Sequence, residues 1–143
     1  EPPAPTPVTT LQSALSILVI DDNQANLQLL SSQLRALGLG ADLADSAEAG
    51  LQRWREQRHG LVLVDCAMPH MDGFEFTRLL RAEEAASAVP EGSRTRVIAI
   101  TGSPEEYERR CLAAGMDQVL GKPLLLETLR QTLQQGAGEP PKR

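Results

Sequence analysis

Three short apolar runs constrain this chain more than any other feature of its sequence. Ile17-Leu18-Val19-Ile20, Leu61-Val62-Leu63-Val64 and Val97-Ile98-Ala99-Ile100 are β-rich and unbroken by polar residues. A strand with one wet face alternates apolar and polar side chains, whereas a strand covered on both faces reads as a continuous apolar run. Residues 41–44 and 118–120 carry weaker strand character and read as edge strands. Between these segments the apolar spacing turns helical. Leu27, Leu30, Leu34 and Leu37 recur three and four apart, with Gly38 as a stop. Ala47, Leu51 and Trp54 form a second stripe behind an N-cap at Asp45 or Ser46, and Phe76, Leu79 and Leu80 a third. Ser103-Pro104-Glu105-Glu106 has the form of a capping box with proline at the first helical position, and Gly115 ends that helix. Leu126, Leu129 and Leu133 mark a last helix. Strand and helix alternate five times, which predicts an α/β fold: a parallel sheet covered on both faces, in a flavodoxin-like (βα)5 arrangement. The weak strands belong at the edges, as the order 2-1-3-4-5 places them.

The chain has 143 residues, enough for one domain. Its ends are richer in proline than its middle: Pro2, Pro3, Pro5 and Pro7 at the start, Pro140 and Pro141 at the end. Residues 1–14 therefore read as a semi-extended linker, 15–135 as the domain and 136–143 as a tail or second linker. Flanking linkers, and a chain that begins at Glu1 rather than methionine, lead us to expect a piece of a longer protein.

Charge and composition exclude several functions. A net charge of −5 argues against a nucleic-acid surface. Only Trp54, Phe74, Phe76 and Tyr107 are aromatic, too few for a base-stacking platform. Apolar runs of four residues fall far short of the roughly 20 that span a bilayer, so no membrane contact by this domain is expected. Cys66 and Cys111 form no CxxC pair and fit neither a disulfide framework nor a zinc site, which leaves a reducing, cytoplasmic setting as the expectation. Cys66 reads as a packing residue rather than a nucleophile, and His59 and His70 as solvent-facing loop residues.

The ends of the strands carry the chemistry. Ile20 is followed by Asp21-Asp22, Val64 by Asp65, Ile100 by Thr101, and the last strand runs into Gly121-Lys122-Pro123. Ligands of open parallel sheets bind at the carboxyl ends of the strands, at the switch in strand order, here between the first and third strands. Three carboxylates, a hydroxyl and an ammonium are thus expected in one crevice. Two like charges about 4 Å apart repel by roughly 4 kcal/mol at an effective dielectric of about 20, so a proton or a cation must relieve them. Oxygen donors without histidine or thiolate favour a hard divalent ion, and magnesium suits one or two carboxylates plus a substrate oxygen. A facing lysine, with a threonine hydroxyl, suits a phosphoryl group.

The stretches Ile17 to Asn23, Asp65-Cys66-Ala67-Met68-Pro69-His70-Met71-Asp72-Gly73, Ile100-Thr101-Gly102, and Ala114-Gly115-Met116-Asp117 through Lys122-Pro123 together resemble the receiver domains of two-component signalling. Asp65-Cys66 with Met68-Pro69, and the run from Cys111 to Asp117, resemble receivers attached to hybrid sensor histidine kinases. The resemblance implies that Asp65 is the phosphoacceptor, that Asp22 binds magnesium directly and Asp21 mostly through water, and that the Ala67 carbonyl is a further ligand. Manganese would substitute for magnesium. It implies that Lys122 neutralises phosphoryl oxygens, that Thr101 bonds one of them in the active state, and that small Gly102 leaves the aspartate accessible. A cis Lys122–Pro123 bond is implied as well. Such a domain catalyses its own aspartyl phosphorylation and dephosphorylation, takes the group from a phosphohistidine-bearing kinase, and passes it to a histidine phosphotransfer domain. It is expected to be monomeric when isolated.

One position departs from the family. Where receivers often carry Tyr or Phe three residues before the lysine as a rotameric switch, this chain has Val119. For docking, Leu124-Leu125-Leu126 cannot all be buried by one helix face, so one or two of them are expected at the rim of the site with Ala25 and Leu27. Three other readings compete: a stand-alone single-domain response regulator, a docking scaffold without phosphoryl chemistry, and a phosphatase of the haloacid-dehalogenase type. The last wants an acid two residues after its nucleophile, where Asp21 has Asn23, and the chain lacks room for a cap.

Overall fold

The computed structural model describes residues 16–88, 94–122 and 124–138. Five strands alternate with five helices: β1 (Ile17–Ile20), α1 (Gln24–Ala36), β2 (Asp42–Ala44), α2 (Ala47–Gln57), β3 (Leu61–Asp65), α3 (Gly73–Ala86), β4 (Arg96–Thr101), α4 (Pro104–Ala114), β5 (Gln118–Gly121) and α5 (Leu126–Gly138). All pairings are parallel, and the strand order is β2-β1-β3-β4-β5. The expected fold and edge strands are therefore those observed.

The reason the central runs are unbroken is visible in the two apolar layers. Leu18, Ile20, Val62, Val64, Val97 and Ala99 face one side and pack with Leu51 and Trp54 of α2, Phe76 and Leu80 of α3 and Cys111 of α4. The alternate residues Ile17, Val19, Leu61, Leu63, Ile98 and Ile100 face the other and pack with Leu27, Leu30 and Leu34 of α1 and Leu129 and Leu133 of α5. Period-two geometry sends neighbours to opposite faces, and both faces are covered.

Several local details refine the sequence reading or depart from it. Ser46 is the N-cap of α2, its hydroxyl accepting from the Ala49 N–H, and Asp45 is not. The expected capping box at α4 is not formed. Ser103 makes no side-chain cap bond, and its own N–H donates to the Thr101 hydroxyl at 3.1 Å instead of to Glu106. Leu126 is exposed, whereas Leu129, Thr132 and Leu133 of α5 are buried. His59 is buried rather than solvent-facing, with Nε2 2.7 Å from Asp42 Oδ2. The chain doubles back under the sheet there: the Trp54 indole donates to the Thr95 hydroxyl, which donates to the His59 carbonyl, both at 2.8 Å. His70 is exposed, as expected. Helix α5 continues to Gly138, into the stretch read as tail. The linker at 1–14 and the Lys122–Pro123 bond, which includes Pro123, lie outside the described residues.

Arg81 ties three elements together opposite the strand ends that carry the aspartates. Its guanidinium donates to the Gly115 and Thr95 carbonyls, to Glu84 and to Asp117, at 2.7–2.9 Å. Glu84, buried, also accepts from the Thr95 N–H, and Asp117 from the Val97 N–H. Gly115 is required where Arg81 passes. Its φ of +108° lies in the left-handed region, and a Cβ would meet Arg81 Cγ at 2.9 Å. Removing one partner of a buried pair strands the other charge, at a cost of about 3–5 kcal/mol. Arg81→Met is thus expected to lower unfolding free energy by about 3 kcal/mol in urea titrations. A loss below about 1 kcal/mol, the range of an exposed pair, would contradict this role.

Candidate functional site

The site is assembled from the carboxyl ends of four adjacent strands. Parallel pairing sets Ile20 beside Val64, Asp65 beside Ile100, and Thr101 beside Gly121. The residues that follow, Asp21, Asp22 and Lys122, therefore emerge at one rim with Asp65 and Thr101. Carboxylate oxygens of Asp21, Asp22 and Asp65 all lie within 4.8 Å of one another. Asp21 and Asp65 are buried and Asp22 is exposed. Lys122 Nζ is 3.2 Å from Asp65 Oδ2 and 3.8 Å from Asp21 Oδ2.

The two buried acids are held by donors. Asp21 accepts from the Asn23 N–H at 2.9 Å and from the Asn26 side-chain amide at 3.2 Å. Asp65 accepts from the Ala67 N–H at 3.3 Å. Asn23 also caps α1, its side chain accepting from the Asn26 N–H at 3.1 Å. Thr101 is buried, and its oxygen accepts from Ser103, which leaves its own hydrogen free to donate. Behind Asp65 the start of α3 comes very close. A Cβ on Gly73 would stand 2.6 Å from the Asp65 carbonyl oxygen, so only glycine fits there. Asp72 caps that helix, accepting from the Glu75 N–H.

Electrostatically the cluster is short of positive charge. Burial first, and the Asp21 charge second, push the Asp65 carboxyl above the ordinary aspartate range; Lys122 and the Ala67 N–H pull it down and are outweighed. Burial also pushes the neighbouring Cys66 thiol well up, which keeps its sulfur mostly protonated and a slow nucleophile. The donor set, three carboxylates with no sulfur or imidazole among them, fits a hard divalent cation.

Other expected residues fall into place unevenly. Gly102 has open space where a side chain would be. Val119 is half-buried in the α2–α3–α4 layer, which Tyr107 of α4 also touches. Among the docking candidates, Ala25 and Leu125 are exposed, Leu125 at 62%. Leu27 and Leu124 are corrections: at 3% and 5% exposure they belong to the α1–α5 core layer and cannot meet a partner. The exposed apolar residues beside them are Leu29, at 46%, and Leu126. With Asp21, Asn26, Ile100 and Lys122, Leu29 lines a cleft of about 310 Å³ next to the acidic cluster. Leu29 and Asn26 escaped the sequence reading. The Leu30 and Leu34 stripe accounts for the core without Leu29, and an asparagine one turn beyond a strand end carries no signal of its own.

A model of the response regulator receiver domain matches residues 17–134. The virulence sensor protein BvgS of Bordetella pertussis is 46% identical over 125 residues, covering 85% of this chain and 10% of that protein. The chain thus spans about a tenth of the length of that curated relative. Among solved structures, the receiver domain of the sensor histidine kinase PA1611 from Pseudomonas aeruginosa PAO1, with a magnesium ion coordinated in its active-site cleft, is 31% identical with a TM-score of 0.76, covering 87% of this chain and 98% of that one. A chain in the co-crystal structure of the Saccharomyces cerevisiae histidine phosphotransfer signaling protein Ypd1 with the receiver domain of its downstream response regulator Ssk1 is 25% identical, also with a TM-score of 0.76, covering 84% of this chain and 86% of that one.

The raised Asp65 value has a signed consequence. The folded state holds this proton more tightly than the unfolded chain, so its contribution to stability is fully present below the unfolded value, about pH 3.9, and is lost as pH rises through the folded value. With divalent ions chelated, Asp65→Asn is therefore expected to melt at a higher temperature than the parent at pH 7. The difference should vanish below about pH 3.9. An asparagine variant less stable than the parent at pH 7 in chelator would contradict the reading of the cluster.

Proposed function

The chain belongs to the response regulator receiver domain family, and from that premise we propose that Asp65 takes a phosphoryl group from a phosphohistidine and passes it to a histidine phosphotransfer domain. The observation that carries this is the Asp21–Asp22–Asp65 cluster facing the Lys122 ammonium at the strand-order switch. Asp65 supplies the attacking oxygen. Its bond to phosphorus forms as the phosphorus–nitrogen bond breaks, and the leaving imidazole retains the electron pair and takes a proton from solvent. Lys122 meets the equatorial oxygens of the transferring group, and the Thr101 hydroxyl donates to one of them afterwards. Asn23 and Asn26 hold Asp21 in place. Magnesium, or manganese in its stead, would be held by Asp21, Asp22, Asp65 and the Ala67 carbonyl, and would supply charge neutralisation to the phosphoryl oxygens.

Gly102 leaves the approach to Asp65 open. The partner's histidine-bearing helices would meet exposed Leu29, which lines the cleft beside the cluster, and exposed Ala25, Leu125 and Leu126, which neighbour the lining residues Asn26 and Leu124 in sequence. Gln33 ties α1 to Leu124, its side-chain amide donating to the Leu124 carbonyl at 2.7 Å. The Ypd1–Ssk1 co-crystal supports a receiver and a phosphotransfer protein meeting directly. Likeness to BvgS supports a longer hybrid sensor histidine kinase as the parent, with this domain on the cytoplasmic side of a membrane. Among the described residues, no helix is long and apolar enough to cross a membrane itself. The stand-alone regulator is the lesser reading beside that likeness. Nor does the haloacid-dehalogenase pattern find its second acid, because Asn23 sits in that place and is engaged as a helix cap.

The signal would leave through Thr101. Valine at position 119 is stiff at χ1 and has no ring to swing, so the displacement runs through residues 102–106 into α4, the helix that bears Tyr107.

Acetyl phosphate with magnesium is expected to place one hydroxylamine-sensitive phosphoryl group on the chain, at Asp65, read by intact mass and peptide mapping. Lys122→Ala should slow uptake by roughly 100-fold, the usual loss for one stabilising donor. A phosphoryl group of the same lability on Asp65→Asn would reject the assignment.

A further inference from the structure

Cys66 and Cys111 lie 45 residues apart in sequence, yet their sulfurs are 3.4 Å apart. Cys66 directly follows Asp65 at the end of β3, and Cys111 sits in the second half of α4. Both are buried free thiols. They are not equally shielded. Cys66 lines a cleft of about 380 Å³ on the far side of β3 from the Leu29 cleft, together with Met68, Phe74, Tyr107 and Arg110. Cys111 is absent from that lining and lies behind Cys66. The Arg110 guanidinium spans the Phe74 and Tyr107 rings, 4.2 and 5.7 Å from their centroids, and gives the cleft a polar lip.

We propose that Cys66 and Cys111 are a disulfide-forming pair, oxidised by a hydroperoxide that enters this cleft. The step balances in two stages. The Cys66 sulfur attacks the terminal peroxide oxygen, the oxygen–oxygen bond breaks and the thiol proton goes to the departing oxygen, so that Cys66 becomes a sulfenic acid and the peroxide leaves as an alcohol or water. The Cys111 sulfur then attacks the Cys66 sulfur. The sulfur–sulfur bond forms, the Cys66 sulfur–oxygen bond breaks, and water leaves with the proton from Cys111. The two thiols are oxidised and the peroxide is reduced. The sulfurs must close by roughly 1.4 Å to reach the disulfide length of about 2.0 Å. That closure falls on the turn after β3 and on the second half of α4, which carry the two sulfurs. Burial keeps the reaction slow, so the pair answers sustained oxidation rather than a brief pulse. Disulfides of proteins in reducing compartments are most often of this reversible, sensing kind.

The bond would join the residue next to Asp65 to the helix that follows Thr101. On the phosphoacceptor reading above, oxidation would then hold α4 still while leaving Asp65, Lys122 and Thr101 in place.

The test treats the folded chain with hydrogen peroxide, removes the peroxide, unfolds the chain in urea, blocks remaining thiols with a maleimide and digests with trypsin. The expected result is peptide 59–78 joined to peptide 111–130, released by dithiothreitol, and absent from both Cys66→Ala and Cys111→Ala. Two maleimide-labelled cysteines after sustained peroxide would overturn the proposal, as would Cys66 oxidised to a sulfinic acid with Cys111 still a thiol. Cross-linking is read by mass alone. A chain that cross-links but accepts no phosphoryl group would therefore overturn the phosphoacceptor reading and support this one.

Discussion

One ammonium faces two buried carboxylates. Lys122 lies 3.2 Å from Asp65 and 3.8 Å from Asp21, and Asp22 adds a third negative charge from the solvent side. One positive charge cannot offset three negative ones, and like charges about 4 Å apart repel by roughly 4 kcal/mol at an effective dielectric of about 20. The protein relieves part of this by raising the Asp65 proton affinity and by donating N–H groups from Asn23, Asn26 and Ala67. The remaining imbalance is what a divalent cation would remove, and with that cation and Lys122 in place a dianionic phosphoryl group becomes tolerable where it would otherwise be repelled. On the phosphoacceptor reading, binding and reactivity would both come from one electrostatic deficit.

The fold exists to hold that deficit together. Without helices on both faces, the continuous apolar strands β1, β3 and β4 would be wet on one side, and their ends would not stay in register. Gly73 lets α3 approach the Asp65 backbone more closely than any other residue allows. At the opposite end of the sheet, Arg81 binds α3 to the start of β4 and to the turn before β5, so the strands that carry Asp65, Thr101 and Lys122 are fixed relative to one another. By contrast the start of α4, beside Thr101, has no side-chain cap, and there the proposed displacement would begin.

The legible and illegible parts of the sequence divide along physical lines. Burial on both faces writes itself as unbroken apolar runs, so the strands and their order could be read directly, and with them the rim where Asp21, Asp22, Asp65, Thr101 and Lys122 gather. Side-chain partners across the fold do not write themselves locally. Nothing around His59 announces that Asp42 and the Trp54–Thr95 pair will draw it inside. Three leucines in a row say that some are exposed, but Leu124 is the buried one only because α1 packs over it. Ser103 looks like a cap by its spacing to Glu106; the Thr101 hydroxyl competes for its N–H and prevails. The nearness of Cys66 and Cys111 depends on how α4 lies against β3, which no spacing rule gives.

The most direct measurement of the whole account is the amide NMR spectrum before and after magnesium with beryllofluoride, which stands in for a phosphoryl group on aspartate. The account predicts saturable shifts at residues 21–22 and 65–67 and a second set from 101 to 109. The second set should disappear in Thr101→Ala and persist in Val119→Ala. A spectrum that does not change, or a second set lost in Val119→Ala and kept in Thr101→Ala, would contradict it.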